Sequence, residues 1–312
     1  KNKKEVTDMT NLERNKQTAI NFYRTMVDEM KPEEAMANYG ARYYKQHNPT
    51  VADEAAGFEA HFDWLRTCFP HKDLPVRVIA EGEYVAMHML HMTTPAGLPP
   101  FNAPDYKPTM EEYQKHGLTS FDLFRFTEDG KICEHWDSMQ WNPYDTALYN
   151  HDANMDERPW WDTEAYPPLS APVCSTGMTT GTTEICDREK TAENKSLAKA
   201  YVEQVLVDKR YGKLDDFISP DLQHHICYIA DGAEAYKEAI RTLPEKQGLD
   251  YVLQHRTVAE GNFVYVQSEA HFRGRTTSVV DLFRIEDGKI AETWQAIFIS
   301  IPEKFRHNNT LF

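Results

Sequence analysis

The sequence predicts an α+β protein made by tandem duplication of one domain, with three helices packed in a curved antiparallel sheet in each copy. The clearest observation is a repeated motif: Asp122–Asp137 (DLFRFTEDGKICEHWD) recurs as Asp281–Gln295 (DLFRIEDGKIAETWQ). Upstream of it, Ala80–Gly82 (AEG) recurs as Ala259–Gly261. In both copies apolar residues recur first at helical spacing and then with the alternation of strands. The shared order of these landmarks predicts two copies of one fold.

The length and composition support two globular domains. The chain has 312 residues, of which 41% are hydrophobic and 12% aromatic, so each copy can bury its own core. We expect a first domain at 1–143, with an insertion at about 93–118, and a connector at 144–190. A second domain at 191–312 is degenerate at the His-Trp-Asp motif.

The helices come first in each copy. Thr10-x-x-Glu13 is a capping-box signal for the first helix. Second helices are predicted near Glu33–Tyr39 and Lys213–Ile218. Third helices, each followed by a proline, are predicted at Ala55–Cys68 and Ala233–Leu243.

Strands follow the helices. In the first copy they are predicted at Val76–Ile79, Tyr84–Met92, Thr119–Phe126 and Ile132–Gln140. Gly130 and Gly288 each follow an aspartate between the last two predicted strands, which indicates a hairpin. The insertion carries five prolines and is expected to form a loop near the mouth of a pocket.

Charge and cysteine content limit the partners and the compartment. The formal net charge of −15 argues against nucleic acid or an anionic membrane surface as a partner. No apolar run approaches the roughly 20 residues of a membrane-spanning helix, so a soluble protein is expected. Cys174 and Cys186 lie in the connector and could form a disulfide, which favours an exported protein over a cytoplasmic one.

The last strand of the first copy carries the candidate chemistry. Strand alternation places His135, Asp137 and Met139 on one face and Glu134 and Trp136 on the other. Three further polar residues are expected to converge on the first face: Asp122, His88 and His47. A carboxylate in an apolar cavity becomes a competent base, and an adjacent imidazole can donate to a developing oxyanion.

Each supporting residue also has a structural interpretation. Asp122 recurs as Asp281 in a copy without an acidic partner on its last strand. His47 lies in a Gln-His-Asn-Pro sequence that favours a turn, and His88 could be an ordinary half-buried strand histidine. Asp137 is different, because strands disfavour aspartate.

Together these motifs resemble the SnoaL-like polyketide cyclase family, which has the cone-shaped fold of nuclear transport factor, ketosteroid isomerase and scytalone dehydratase. The resemblance is carried by Gln46–Pro49, Val85–His88, Asp122–Arg125 and Asp129–Asp137. It implies that Asp137 acts as the base of an aldol-type ring closure. We expect His135 and His47 to be its polar partners. The second copy departs from the pattern, because Gln295 cannot accept a proton.

Three functions follow from these observations. The first is an enzyme without a cofactor or metal, a cyclase, isomerase or lyase that acts on a small hydrophobic carbonyl compound. The second is a non-catalytic small-molecule binding protein with cavities in one or both copies, the second cavity containing His225, Asp281 and Gln295. The third is a metal site formed by His47, His88, His135 and a carboxylate, for which no short ligand spacing speaks.

The two copies are also expected to pack as an intramolecular pseudo-dimer through the outer faces of their sheets. Trp136 and Trp294 would then be buried between them. A further homo-oligomer is left open.

Overall fold

A computed structural model describes residues 3–48, 51–54, 57, 73–91, 118–140, 174–298, 307 and 310–312. These residues divide into two compact units. The first unit contains the described residues up to 137 together with 307 and 310–312, and the second contains 138–298. The division differs from the predicted boundaries in three respects: residues 310–312 belong to the first unit, and both 138–140, at the end of the strand that begins at Ile132, and the described part of the predicted connector, 174–190, belong to the second. The predicted third helix at 55–68 and the insertion at 93–118 lie almost entirely outside the described residues.

The first unit begins with two helices and continues with five strands. The helices are α1 (Lys3–Tyr23), which continues as a wider turn over Arg24–Asp28, and α2 (Pro32–Tyr39). The strands are β1 (Gly40–Gln46), β2 (Asp73–Glu81), β3 (Tyr84–His91), β4 (Leu118–Phe126) and β5 (Ile132–Gln140). Proline at the first position of α2 suits a helix start, where its missing N–H has no partner to lose.

The second unit repeats this plan. Its helices are α3 (Thr191–Tyr201), α4 (Leu214–Phe217) and α5 (Ala233–Arg241). Its strands are β6 (Ile218–His224), β7 (Leu249–Glu260), β8 (Phe263–Phe272), β9 (Arg275–Glu286) and β10 (Lys289–Ile297). The strand orders are β1-β5-β4-β3-β2 and β6-β10-β9-β8-β7. The predicted α+β duplication is confirmed.

One feature of the sheets was not predicted. Each unit has a short strand directly after its second helix, and this strand pairs in parallel with the last strand of the unit: β1 with β5 and β6 with β10. The sheets are therefore mixed rather than purely antiparallel. Because β1 joins β5 at the register Gln46↔His135, the residues that end β1 lie beside those of the predicted site.

The hairpins and cores follow from the sequence patterns. Gly130 and Gly288 have φ angles of +81° and +71°, a conformation that glycine adopts without the steric cost paid by other residues. Ala19, Phe22 and Met26 of the first helical segment pack with Phe124 in the core of the first unit. Their spacing of three to four residues defines the buried face of that segment.

The expected Cys174–Cys186 disulfide is wrong for this structure. Both residues are free thiols, Cys174 buried and Cys186 exposed. The thiol of Cys174 lies 3.3 Å from the Thr176 carbonyl oxygen and packs with Met178 and Cys227 instead. Cys133 is a partly exposed free thiol, and Cys68 lies outside the described residues.

Trp136 and Trp294 are both buried, each within its own unit. The ring of Trp136 stacks on His47, and that of Trp294 stacks on His225. Packing of the two sheets as a pseudo-dimer stays a prediction. Within the described part of the chain, no helix is both long and apolar enough to span a membrane.

Candidate active site

The site is built around two residues of β5 that share one face. His135 is buried and Asp137 is half-buried, and side-chain ligand atoms of Asp122, His135 and Asp137 all lie within 4.8 Å of one another. Met139 is half-buried two residues further along the same strand, where alternation puts it on the same face. The period of a strand therefore places an imidazole and a carboxylate beside Asp122.

Asp122 is surrounded by hydrogen-bond donors. Its Oδ1 accepts hydrogen bonds from the Tyr23 hydroxyl and from Nε2 of His135, the latter at 3.0 Å. Its Oδ2 accepts one from the Ser120 hydroxyl at 2.6 Å. Burial opposes the charged form, but the hydrogen bond and the positive charge of His135 outweigh it and hold the pKa of Asp122 below its usual value. Asp122 is therefore a fixed negative charge rather than the base.

The network continues through a histidine that the sequence reasoning did not single out. Nε2 of His91 donates to the Ser120 hydroxyl at 2.6 Å, and its Nδ1 lies 2.9 Å from Oδ1 of Asp73. Burial disfavours the charged ring, but the carboxylate of Asp73 outweighs this and raises the pKa of His91. Polar groups thus extend from Asp73 on β2 to Asp122 on β4.

Asp137 has the opposite environment. Its Oδ2 accepts one hydrogen bond, from the side-chain amide of Asn48 at 2.7 Å. Its Oδ1 is buried and has no hydrogen-bond partner among the described residues. Burial, aided by the like charge of Asp122 and opposed by His135 and Asn48, raises the pKa of Asp137 to about 6. Two neighbouring carboxyl groups are thus held at different protonation equilibria, an arrangement typical of acid–base catalysis.

His135 faces an acceptor at each ring nitrogen. Nδ1 lies 2.8 Å from Oε1 of Gln46, and Nε2 lies 3.0 Å from Oδ1 of Asp122. The amide orientation of Gln46 is supported by the backbone N–H of Asn48, which donates to the same Oε1 at 3.2 Å. Both ring nitrogens of His135 are therefore engaged in hydrogen bonds within the site. Its ring stacks on Phe124 at 4.7 Å between centroids.

His47 lies on the opposite face of the sheet from Asp137, contrary to the expectation that it would be a polar partner there. Its Nε2 lies 2.8 Å from Oε1 of Glu134, and its ring stacks on Trp136 at 4.6 Å. Glu134 and Trp136 alternate with His135 and Asp137 along β5. The neighbours of His47 in sequence, Gln46 and Asn48, reach the site instead.

His88 is also directed away from the site. Arg77 and Thr119 bind its two ring nitrogens at 3.0 and 2.9 Å, and its ring stacks on Phe121 at 4.2 Å. In the antiparallel pairing of β3 with β4, His88 lies opposite Phe121 while Met87 lies opposite Asp122. Residues directly opposite each other share a face, so His88 could not lie with Asp122.

Alternation could have identified the residues that were missed. His91 is in phase with Met87, which pairs with Asp122, and Asn48 is in phase with Gln46 and the buried Tyr44. The exposed Tyr43 marks the other face of β1. For Asn48 this signal was hidden because β1 was not recognised as a strand.

The metal site considered from the sequence is not assembled, since His47 and His88 lie on the other face. The described residues that could hold a cation together are Asp122, His135 and Asp137. In this set His135 uses both ring nitrogens in hydrogen bonds to Asp122 and Gln46. The donor set therefore fits a hydrogen-bonded acid–base group better than a metal centre.

In the equivalent region of the second unit, both carboxylate oxygens of Asp281 are hydrogen-bonded. Asp281 accepts hydrogen bonds from the Tyr251 hydroxyl at 2.7 Å and from the side-chain amide of Gln295 at 3.0 Å. Gln295 also donates to the Tyr251 hydroxyl at 2.9 Å and accepts from Tyr228. Burial raises the pKa of Asp281 to about 6. Unlike Asp137, however, both of its oxygens have donors.

His225 is not part of this second cluster, contrary to the expectation for a second-copy cavity. Its Nε2 lies 2.9 Å from Oε1 of Glu292, and its ring stacks on Trp294. Glu292 and Trp294 alternate with Thr293 and Gln295 on β10, so they lie on the opposite face of the strand from those two residues. The adjacent His224 takes the other face and lies 2.8 Å from the Ala230 carbonyl oxygen. His224 thus occupies the position in the second unit that Gln46 occupies in the first, since each pairs with the equivalent residue of the last strand.

Comparison with known proteins identifies part of the chain. The family model of the SnoaL-like domain matches residues 198–293, which lie in the second unit. None of the curated proteins has a sequence that matches this chain.

Several solved structures of low sequence identity align with about a third of the chain. A candidate ketosteroid isomerase from Kribbella flavida is 14% identical, with a TM-score of 0.32, over 36% of this chain and 82% of that one. An LEH-like epoxide hydrolase from M. tuberculosis is 18% identical, with a TM-score of 0.29, over 35% of this chain and 84% of that one. An NTF2-like protein from Cytophaga hutchinsonii is 17% identical, with a TM-score of 0.28, over 38% and 94%.

Proposed function

We propose that this protein is an acid–base enzyme whose site lies in the first unit. The second unit contains the SnoaL-like domain at residues 198–293. The protein's own side chains would abstract a proton next to the carbonyl group of a small hydrophobic compound. Aldol-type ring closure, isomerisation or elimination would follow. The observation that carries the proposal is the half-buried Asp137, whose pKa is raised to about 6 and whose buried Oδ1 has no partner among the described residues.

Asp137 has the properties of a general base at neutral pH. A base works best when its pKa lies near the working pH, because it is then both deprotonated and basic enough to take the proton. At pH 7 a carboxyl group with a pKa near 6 is mostly ionised. Asn48 orients Oδ2 of this carboxylate, which leaves Oδ1 to accept the proton.

His135 supplies the charge that the reaction needs. Removal of a proton next to a carbonyl group places negative charge on the carbonyl oxygen, and a preorganised positive group nearby lowers the free energy of that state. His135 would be that group, since Asp122 and Gln46 fix its ring beside Asp137. Because both of its ring nitrogens are committed, it would act mainly through its charge and would not give up a proton.

The second unit supports a scaffold or binding role. Gln295 stands at the position of Asp137 and Thr293 at that of His135. Both carboxylate oxygens of Asp281 accept hydrogen bonds. Catalysis is therefore assigned to the first unit alone.

Exchange of carbon-bound hydrogen for deuterium tests this function without knowledge of the final product. The protein would be incubated in D₂O with a panel of small hydrophobic ketones and aldehydes, and loss of the α-proton signal followed by proton NMR. Asp137→Asn keeps the shape and removes the base, so exchange should fall by a factor of about 10²–10⁴. Asp281→Asn, the matched change in the second unit, should leave exchange unchanged. Full exchange in Asp137→Asn would overturn the proposal.

A further inference from the structure

A second cluster of charged and aromatic residues lies on the opposite face of β5 from Asp137. Glu134 accepts hydrogen bonds from Arg125 at 2.7 Å and lies 2.8 Å from Nε2 of His47. The ring of His47 is parallel to that of Trp136, with an interplanar angle of 13°. We call these four residues the outer-face cluster.

The second unit has the same cluster. Arg284 donates to Glu292 at 2.8 Å, Nε2 of His225 lies 2.9 Å from Glu292, and His225 stacks on Trp294. In both units the histidine also holds a stretch of main chain from outside the sheet. Nδ1 of the histidine lies 2.7 Å from the Thr310 carbonyl oxygen in the first unit, and 3.1 Å from the Gly177 carbonyl oxygen in the second.

The two clusters differ in what they hold on the far side of the sheet. His47 lies between Gln46, which binds His135, and Asn48, which binds Asp137. The equivalent neighbours in the second unit are His224, bound to a local carbonyl, and the apolar Ile226. Only in the first unit, among the described residues, is the histidine flanked on both sides by residues that contact an acid–base pair.

We propose that His47 is a positioning residue for the acid–base pair, and that residues 310–312 set its position by docking the Thr310 carbonyl group onto its ring. The inference rests on the function proposed above. Adjacent side chains of an extended chain point to opposite faces, so fixing the ring of His47 on one face fixes the direction of Gln46 and Asn48 on the other. The backbone N–H of His47 donates to the His135 carbonyl oxygen at 2.9 Å and ties the same point to β5.

Loss of the contact between the Thr310 carbonyl oxygen and His47 should therefore change the pKa of Asp137. The hydrogen bond from Asn48 favours the charged form of Asp137, so weakening it raises the pKa of that carboxyl group. The other titratable groups that face Asp137 are His135, Asp122, His91, Tyr23 and Tyr44. Of these, His135 contacts His47, through its backbone carbonyl group. Those that face His47 are Glu134 and Lys45.

The test is a carbon-13 NMR titration of aspartate carboxyl groups in the full-length protein, with the Asp137 signal assigned by its absence in Asp137→Asn. His47→Phe keeps an aromatic ring for Trp136 and removes both hydrogen bonds. The midpoint of Asp137 should rise by about half a pH unit or more. His225→Phe makes the same change in the second unit and should leave that midpoint unchanged.

Two further variants separate docking from general damage. Deletion of residues 310–312 leaves His47 in place and should shift Asp137 in the same direction. Thr310→Val keeps the carbonyl group and removes the hydroxyl, which lies 3.4 Å from the same ring nitrogen and donates to the Phe312 carbonyl oxygen at 2.6 Å, so it should shift Asp137 less than the deletion does. An unchanged Asp137 midpoint in both His47→Phe and the deletion variant would overturn the inference. If His47→Phe does not fold, the deletion variant alone decides.

The readout does not depend on turnover. A shifted midpoint without any α-proton exchange would support the positioning role while removing the proposed function. Exchange that depends on Asp137 but not on His47 would do the reverse.

Discussion

Asn48 donates its side-chain amide to Oδ2 of Asp137 at 2.7 Å, and this is the one hydrogen bond that the described residues give to that carboxyl group. The neighbouring Asp122 receives three such bonds, from Tyr23, Ser120 and His135. The hydrogen bond and charge of His135 thus keep Asp122 ionised, whereas burial leaves Asp137 able to gain and lose a proton near neutral pH.

Replacing Asn48 by alanine should raise the pKa of Asp137 above about 6, because the amide stabilises only the charged form. Any rate that depends on ionised Asp137 should then reach its plateau at a higher pH. The pH dependence of α-proton exchange in Asn48→Ala and wild type measures this. A profile that moves to lower pH would contradict the role given to Asn48.

Sequence patterns were sufficient for the parts of this molecule that depend on local chemistry. The Asp-Gly turns at Gly130 and Gly288 and the alternation of His135 with Asp137 need only the neighbouring residues. Sequence patterns gave the wrong face for His47 and His88, because the face of each depends on which strand lies beside it and in what register. β1 is a seven-residue strand that pairs in parallel with β5, and neither this partner nor the register of the pairing can be read from the residues of β1 alone.

Folding stability should depend on Asp137 in a pH-dependent way. The folded pKa of about 6 lies above the ordinary aspartate value of about 4, so the fold favours the neutral carboxyl group. The stability from this group is complete below about pH 4 and is lost as the pH rises through 6. Asp137→Asn never ionises, so it should be more stable than wild type at pH 8, by at most about 2–3 kcal/mol, because the group is only half-buried.

Melting temperatures of both proteins at pH 4 and pH 8 provide the measurement. At pH 4 the two should be nearly equal. The same difference at both pH values would show that the variant acts through packing and that the pKa of Asp137 is not raised.

The two equivalent glycine turns should respond differently to alanine. Gly82 and Gly261 have φ angles of +60° and +61°, so alanine costs about 1–2 kcal/mol of strain at either position. A β-carbon at Gly82 meets nothing within 4 Å, whereas one at Gly261 would lie 2.0 Å from the Cys186 carbonyl oxygen.

Gly261→Ala should therefore destabilise the protein by about 2–4 kcal/mol and Gly82→Ala by about 1–2 kcal/mol. Urea unfolding of the two variants measures the difference. Equal losses would show that residue 186 is not packed on this turn.

The cysteines should label as free thiols in an order set by burial. Cys186 is exposed and should react with iodoacetamide first in the native protein. Cys227 is fully buried, which raises the pKa of its thiol, and should react last among the described cysteines. Mass spectrometry after unfolding without reductant should show five labels, one for each cysteine of the chain. Three labels would restore the disulfide between Cys174 and Cys186.

The most direct test of Asp137 as the base is the rate of α-proton exchange in wild type between pH 4.5 and pH 8.5. The rate should rise with pH and level off, with a midpoint near 6, because exchange follows the ionised fraction of Asp137. The plateau should fall by about 10²–10⁴ in Asp137→Asn. A midpoint near 4, or a midpoint near 6 that persists at full rate in Asp137→Asn, would contradict the assignment of Asp137 as the base.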